Sequence, residues 1–486
     1  MSINDFELIR RGLASFDTSA NHTASGEGRP KTDEIFAPEQ HAGALDPNNM
    51  IVLGARGAGK SFWAGVLGNE DTRLVAAEAY PQLGLEKITV KLGFTGQVND
   101  GSVSRATIDH QVPEGQENTR GLLLWRCVVL RALKSAIDPT AQSLTVGRMM
   151  ELYSDPEEWE ADCAEANLQL ADAGGKVVVV FDALDALAIE WDRLRNLIDA
   201  LLEVAWSMRG FSAVRMKLFL RPDQIRDLGL RFVELPKLLS GATNLRWSGP
   251  DLYGMLFAKL GTANDLECRA AFLRLLSEND IPAVPDSLRK LRHWPLANKK
   301  PVQARVFMRL AGAYMGRGKK KGNTYDWPLN HLADGHGEVT SRSFLTLMIQ
   351  AARHQPHPFD QALSAEGIRH GLREASKTRV EQLAIEFKWI KRALTPLARM
   401  QVPCAASDII QRWEANETIK AIESAAVQLQ FLPPFPPEMP EHEYEKLIET
   451  FVRIGVLSIR KDLRYDMPDL FRVAAKLLKK GGVAPV

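Results

Sequence analysis

Apolar residues in the first half of this 486-residue chain gather in short runs, separated by longer stretches of helical period. Residues 50–53 (MIVL) are apolar and stop at a glycine, and residues 60–67 open a helix, so the local order is strand, loop, helix. Residues 87–94 (KITVKLGF) alternate as a second strand does. A polar stretch, residues 95–120, separates them from GLLLWRCVVLRALKSAI, which reads as a largely buried helix. An acidic, helix-prone insertion (DPEEWEADCAEANLQLADAG) then leads into KVVVVFDALDAL. The apolar run 177–181, closed by Asp182, fits an interior parallel strand covered on both faces. WDRLRNLIDALLEVAWSMRG is an amphipathic helix with its stop at Gly210. MKLFLRPDQ is again a strand with polar groups at its end, and ATNLRWSGPDLYGMLFAKL is a strand followed by a helix. This alternation, from about residue 48 to 260, predicts a three-layer α/β domain around a parallel sheet.

From about residue 251 the pattern turns mainly helical, interrupted by the basic segment RGKKKG at 317–322. EGIRHGLREASKTRVEQLAIEFKWIKRALTPLARM is a long helical region, and the proline-rich residues 431–442 read as a surface crossing. The closing segments, EYEKLIETFVRIGVLSIRK and RYDMPDLFRVAAKLLKK, resemble part of a winged helix. Residues 1–47 are mostly polar and read as an arm with a segment flanking the first strand. The expected organisation is therefore 1–47, an α/β core over 48–250, a helical lid over 251–355, and a helical, winged-helix-like domain over 356–486. No repeat of solenoid period is present.

Composition adds limits rather than direction. With 45% apolar and 25% charged residues the chain is an ordinary globular protein, long enough for two or three cores. A formal charge of +1 gives no global field toward nucleic acid or membrane, so any such contact has to be local. Four cysteines lie far apart without a C-x-x-C, which suggests buried thiols in a reducing compartment. The N-terminal MSINDFELIRR lacks an apolar signal core, and no uninterrupted apolar run reaches about 18 residues. The expected location is cytoplasmic, without membrane contact. The ten histidines form no ligand-spaced cluster, so no metal beyond magnesium is indicated.

The chemistry concentrates at GARGAGKS, residues 54–61, which satisfies G-x-x-x-x-G-K-[ST] in its strand–loop–helix context. In such a loop the backbone of Gly54, Ala55, Arg56, Gly57, Ala58 and Gly59 wraps phosphates with N–H groups. Lys60 supplies a point charge, Ser61 holds magnesium, and Phe62 follows at the helix start. Asp182, at the end of its apolar strand, is expected to approach the magnesium held by Ser61; the competing reading is a helix cap. Asp185 is a candidate to orient or deprotonate the attacking water, against a turn or capping role. Arg221 ends the strand MKLFLR and suits a sensor of the γ-phosphate, against a surface pair with Asp223 or Asp227. No glutamate follows Asp182, which points to slow turnover and a switch rather than a motor.

With these residues placed, the chain resembles the additional-strand P-loop ATPases, which include the AAA+ and STAND classes. The segments VVVVFDALD and LFLRPD look most like the STAND class. The resemblance implies an ATP- and Mg2+-dependent switch for signalling or defence, oligomerising through its NTPase module. Origin-recognition-type AAA+ proteins share this core and end in a DNA-binding winged helix. By the same resemblance the helices after Asp251 form a lid, Arg342 sits where a second phosphate sensor is placed, and His41 matches a residue that touches the base. The bland reading of Arg342 is a helix-start arginine. An arginine finger, an adjacent Asp-Glu pair, a sensor repeat array and a fused effector domain are not recognisable.

Residues 453–480 hold eight Lys or Arg (Arg453, Arg460, Lys461, Arg464, Arg472, Lys476, Lys479, Lys480) against three Asp. That local excess suits DNA phosphates, although such charges are also common on plain solvated faces. Three functional readings follow. The first is an oligomeric ATPase switch controlling a separate protein effector, in bacterial signalling or antiphage defence. The second is a DNA-binding AAA+-like ATPase, and the third a scaffold with a structural nucleotide.

Overall fold

The computed structural model describes residues 2–17, 22–98, 100–140, 144–188, 190–226, 230–435 and 442–485. The chain forms two compact units. One comprises residues 20–246 with 286–292, and the other residues 1–19, 247–285 and 293–486.

The first unit is a mixed α/β fold whose central sheet is flanked by helices. Its strands are β1 (Ile51–Leu53), β2 (Ile88–Phe94), β3 (Lys176–Phe181), β4 (Val214–Leu220) and the short β5 (Thr243–Asn244). They pair in the order β2-β3-β4-β1-β5, all parallel. Side-chain alternation along β3 shows why the run of valines is needed. Val177, Val179 and Phe181 enter one apolar cluster with helices Glu117–Ile137 and Trp191–Ser207. Val178 and Val180 enter the other, with helices Lys60–Gly68 and Glu70–Ala79. Both faces are covered, as the continuous apolar run predicts, and the three-layer expectation for this region holds.

The alternation breaks at one buried position. Lys217 in β4 is fully buried, and its Nζ donates to the carbonyls of Asp46 and Asn49, both at 2.8 Å, and of Gly43 at 3.4 Å. Burial pulls this ammonium down to about 7. It ties the segment before β1 to the middle of the sheet. Residues 22–47 accordingly belong to the sheet unit, whereas the sequence reading joined them to an arm beginning at residue 1.

The second unit is helical. Residues 3–15, which the polar pattern assigned to the arm, form helix Ile3–Ser15, started by a Ser2–Asp5 capping box. This helix packs on helices Leu266–Glu278 and Ser341–Arg353. Apart from residues 286–292, the regions read as lid and C-terminal domain fall within one compact unit. Toward the C-terminus, helices Ala406–Ala415, Thr418–Leu429 and Glu443–Arg453 precede an antiparallel hairpin, β7 (Ser458–Ile459) with β8 (Tyr465–Asp466). Strand β6 (Gln401–Val402) runs parallel to β9 (Leu478–Lys479). Half of the proline-rich crossing, residues 436–441, lies outside the described residues. Among the described residues no helix is long and apolar enough to cross a membrane.

Helices Ser341–Arg353 and Ala365–Glu386 meet through glycines at backbone distance. A methyl at Gly371 would run into the Leu347 carbonyl, and one at Gly367 would stand 2.7 Å from the Ala351 carbonyl. Backbone cannot rotate aside as a side chain can. Gly371→Ala is therefore expected to destabilise the protein by about 1–3 kcal/mol despite the higher helix propensity of alanine. Denaturant midpoints of the two proteins measure this, and an unchanged or raised midpoint would contradict the close packing.

Candidate functional site

Parallel pairing sends every C-terminal strand end of the sheet unit to the same edge. Leu53 of β1 pairs with Leu220 of β4, so Gly54 and Arg221 leave neighbouring strands at one level, joined by the Gly54 N–H donating to the Leu220 carbonyl at 3.1 Å. On the other side of β4, β3 ends at Phe181 and releases Asp182. The three polar groups picked out in distant parts of the sequence thus emerge from three adjacent strands.

The loop 54–59 between β1 and the helix Lys60–Gly68 depends on two left-handed glycines. Gly57 has φ 83° and Gly59, the residue before the helix, has φ 105°, conformations costly to side-chain-bearing residues. Gly54 and Ala58 are buried, whereas Ala55, Arg56, Gly57 and Gly59 are half-buried. The half-buried Lys60 folds back, its Nζ donating to the Gly54 carbonyl at 2.8 Å and the Ala55 carbonyl at 3.3 Å. Burial and then the nearby Arg221 guanidinium pull its ammonium down to about 8, opposed by Asp182, Asp185 and Asp223. Phe62 meets His22 in a T-shaped ring contact, centres 5.0 Å apart, a neighbour the sequence did not suggest.

Asp182 is 2% exposed and lies beside the Ser61 hydroxyl. Burial raises its carboxyl above the usual range, and the Ser61 hydroxyl and Lys60 oppose that. Its Oδ1 has no hydrogen-bond partner among the described residues. An orphaned buried carboxylate oxygen beside a hydroxyl suits a divalent cation, for which both are ordinary oxygen ligands. Among the described residues no three or more His, Cys, Asp or Glu converge to hold a metal. An ion here would draw most of its ligands from water and a bound phosphate, the habit of Mg2+.

Arg221 is held from two sides. Its Nε donates to Asp223 Oδ1 at 3.1 Å and its Nη2 to Asp223 Oδ2 at 2.8 Å, while Nη1 reaches Asp185 Oδ2 at 3.3 Å. The pairing with Asp223 foreseen as the competing reading is present, but the guanidinium is only 11% exposed and also faces Asp185. Asp227, the other suggested partner, lies outside the described residues. Asp223 carries no motif signal of its own; only its spacing two residues after Arg221 marked it.

His41 is placed differently from the resemblance. The ring is fully buried, with Nε2 donating to the Arg246 carbonyl at 2.8 Å and Nδ1 accepting from Trp63 Nε1 at 3.2 Å. Both nitrogens are engaged in the fold, and no ring edge is exposed to meet a base. Arg342 opens helix Ser341–Arg353 and belongs to the helical unit, not to the sheet unit that carries the other candidates.

The C-terminal basic set is partly neutralised. Arg472 is fully buried, with Nε on Asp469 Oδ1 at 2.6 Å, and Arg464 pairs with Asp462 at 2.7 Å. Lys479 and Arg460 both meet Asp466, at 2.9 and 3.6 Å. Lys461, Lys476 and Lys480 are exposed, as is Arg453, which donates to Thr450 Oγ1 at 3.2 Å, so the field is smaller than eight basic residues suggest.

No protein-family model, curated protein or solved structure matches this chain.

Burial lowers the His41 imidazole from 6.5 to about 4, so the folded protein keeps it neutral while the unfolded chain takes up a proton. Stability from this group is complete above pH 6.5 and is lost as the pH falls toward 4, by about 3 kcal/mol in all. Chemical denaturation at pH 7 and pH 4.5 should show a smaller acid loss for His41→Gln than for the parent. Equal losses would mean that His41 is not the buried neutral group described.

Proposed function

We propose that this chain is an ATP- and Mg2+-dependent switch whose nucleotide site is the C-terminal edge of the parallel sheet. The observation that carries the reading is the convergence there of Lys60, the Ser61–Asp182 pair and the Arg221–Asp185 pair. The strand order supports it as well, since β4 stands between the strand that leads into the glycine loop and the strand that ends in Asp182. An extra strand at that place is what names the additional-strand ATPases. Ligands of open α/β sheets lie outside the carboxyl ends of the strands, which favours the same edge.

In this reading the backbone of residues 54–59 and the N-terminus of helix Lys60–Gly68 receive the phosphates. Lys60 leaves the Gly54 and Ala55 carbonyls for phosphate oxygens, so the loop is satisfied before binding and the exchange costs little. Ser61 and Asp182 hold the magnesium, which when bound neutralises charge on the phosphate oxygens. Arg221 reads the terminal phosphate. Asp185 is the candidate base, and its engagement with Arg221 fits slow turnover, as does alanine at position 183 directly after Asp182. Bound nucleotide would then set the protein's state, with self-assembly and a separate effector protein as the output.

Lys60→Ala removes a charge-assisted contact and should weaken ATP binding roughly tenfold to a hundredfold. Asp182→Asn should leave binding with little response to Mg2+. Titration calorimetry with and without Mg2+ reads both, and size measurement in ATP and in ADP reads the assembly. Equal ATP affinity in the parent and Lys60→Ala would remove the reading.

A further inference from the structure

The four residues Arg221, Pro222, Asp223 and Gln224 form a compact turn at the end of β4. Proline stiffens the exit from the strand. The Arg221 N–H donates to Gln224 Oε1 at 2.8 Å, which fixes the backbone that carries the guanidinium. Asp223 then takes the Nε–Nη2 edge of the guanidinium in the two-pronged geometry that favours arginine over lysine. This pair is sheltered, with side chains 11% and 15% exposed. The remaining corner, Nη1, meets Asp185, which is 46% exposed and joined at 3.3 Å. One carboxylate therefore clamps the arginine in a dry setting, and the other, half-exposed, meets its Nη1 corner.

We propose that Asp223 is the positioning residue that aims Arg221 Nη1 at the terminal phosphate, and that Asp185 is a displaceable placeholder holding that corner until a triphosphate arrives. The inference rests on the nucleotide reading above and names how the site tells triphosphate from diphosphate. The two contacts differ in a way that suits these roles. A sheltered two-pronged pair resists exchange, because breaking it strands two charges at low exposure. A single contact to a half-exposed carboxylate is weak and screened, so a phosphate oxygen of higher charge can take its place. When it does, Asp185 is released, and the sheet edge acquires a carboxylate whose engagement depends on the nucleotide. A diphosphate lacks the group that would draw Nη1 away, so Asp185 stays paired.

The test is the ratio of dissociation constants for ADP and a slowly hydrolysed ATP analogue, ATPγS, measured with Mg2+ on the full chain. Asp223→Asn keeps the shape of the clamp and removes its charge. It should weaken ATPγS roughly tenfold while ADP changes little, and Asp223→Glu should restore part of the difference. Asp185→Asn removes the competitor and should tighten ATPγS by roughly threefold relative to ADP. Thermal midpoints confirm that each variant is folded, and Asp185, on the surface, supplies an arm independent of the clamp. A parent that binds neither nucleotide overturns the nucleotide reading and this inference with it. A parent that binds both, with a ratio unmoved by Asp223→Asn or with ATPγS weakened by Asp185→Asn, overturns the inference alone.

Discussion

The parallel register between β1, β4 and β3 is the constraint on which the remainder of the sheet unit depends. These strands are largely apolar because helices cover both faces, with Lys217 the buried exception inside β4. The polar groups that follow β3 and β4 lie at the strand ends, and parallel pairing brings those ends to one edge. Gly54 lies well over a hundred residues of chain from Asp182 and Arg221, yet all three leave neighbouring strands.

Charge at that edge is held in tension. Lys60 and Arg221 repel each other, and three carboxylates, Asp182, Asp185 and Asp223, lie close enough to offset them. Each group already has a partner, the exception being one buried oxygen of Asp182. Such an arrangement is stable without a ligand and rearranges when an anion and a cation enter together, since the loop carbonyls and the Asp185 carboxylate are the weaker claims on Lys60 and Arg221.

The floor beneath the edge uses buried polar groups of another kind. Lys217 and His41 are wholly enclosed, and both bind backbone carbonyls of segments that border β1. Their role is to satisfy carbonyls at turns that the sheet covers, so they fix the entry into the glycine loop. The helical unit solves its packing differently, with Gly367 and Gly371 allowing two long helices to touch backbone to backbone.

Much of this was legible in the sequence. The strand positions of the sheet unit, the buried character of β3, the glycine loop and the polar tips at Asp182 and Arg221 follow from local period and composition. These properties depend on a few neighbouring residues. The N-terminal helix was missed because its apolar face is narrow, resting on Phe6, Ile9 and Leu13 among polar neighbours. The burial of His41 and Lys217 was missed because a lone polar residue carries no pattern, although a lysine inside MKLFL was a hint. What only the tertiary structure decided is partnership: β4 between β1 and β3, Asp223 rather than solvent on Arg221, the Ser61 side chain on Asp182, and Arg472 in the core rather than on a basic face. Local sequence sets which groups become strands and tips. Their neighbours depend on the order in which strands pack under two helical layers, an outcome of the whole chain's burial that no short stretch of it encodes.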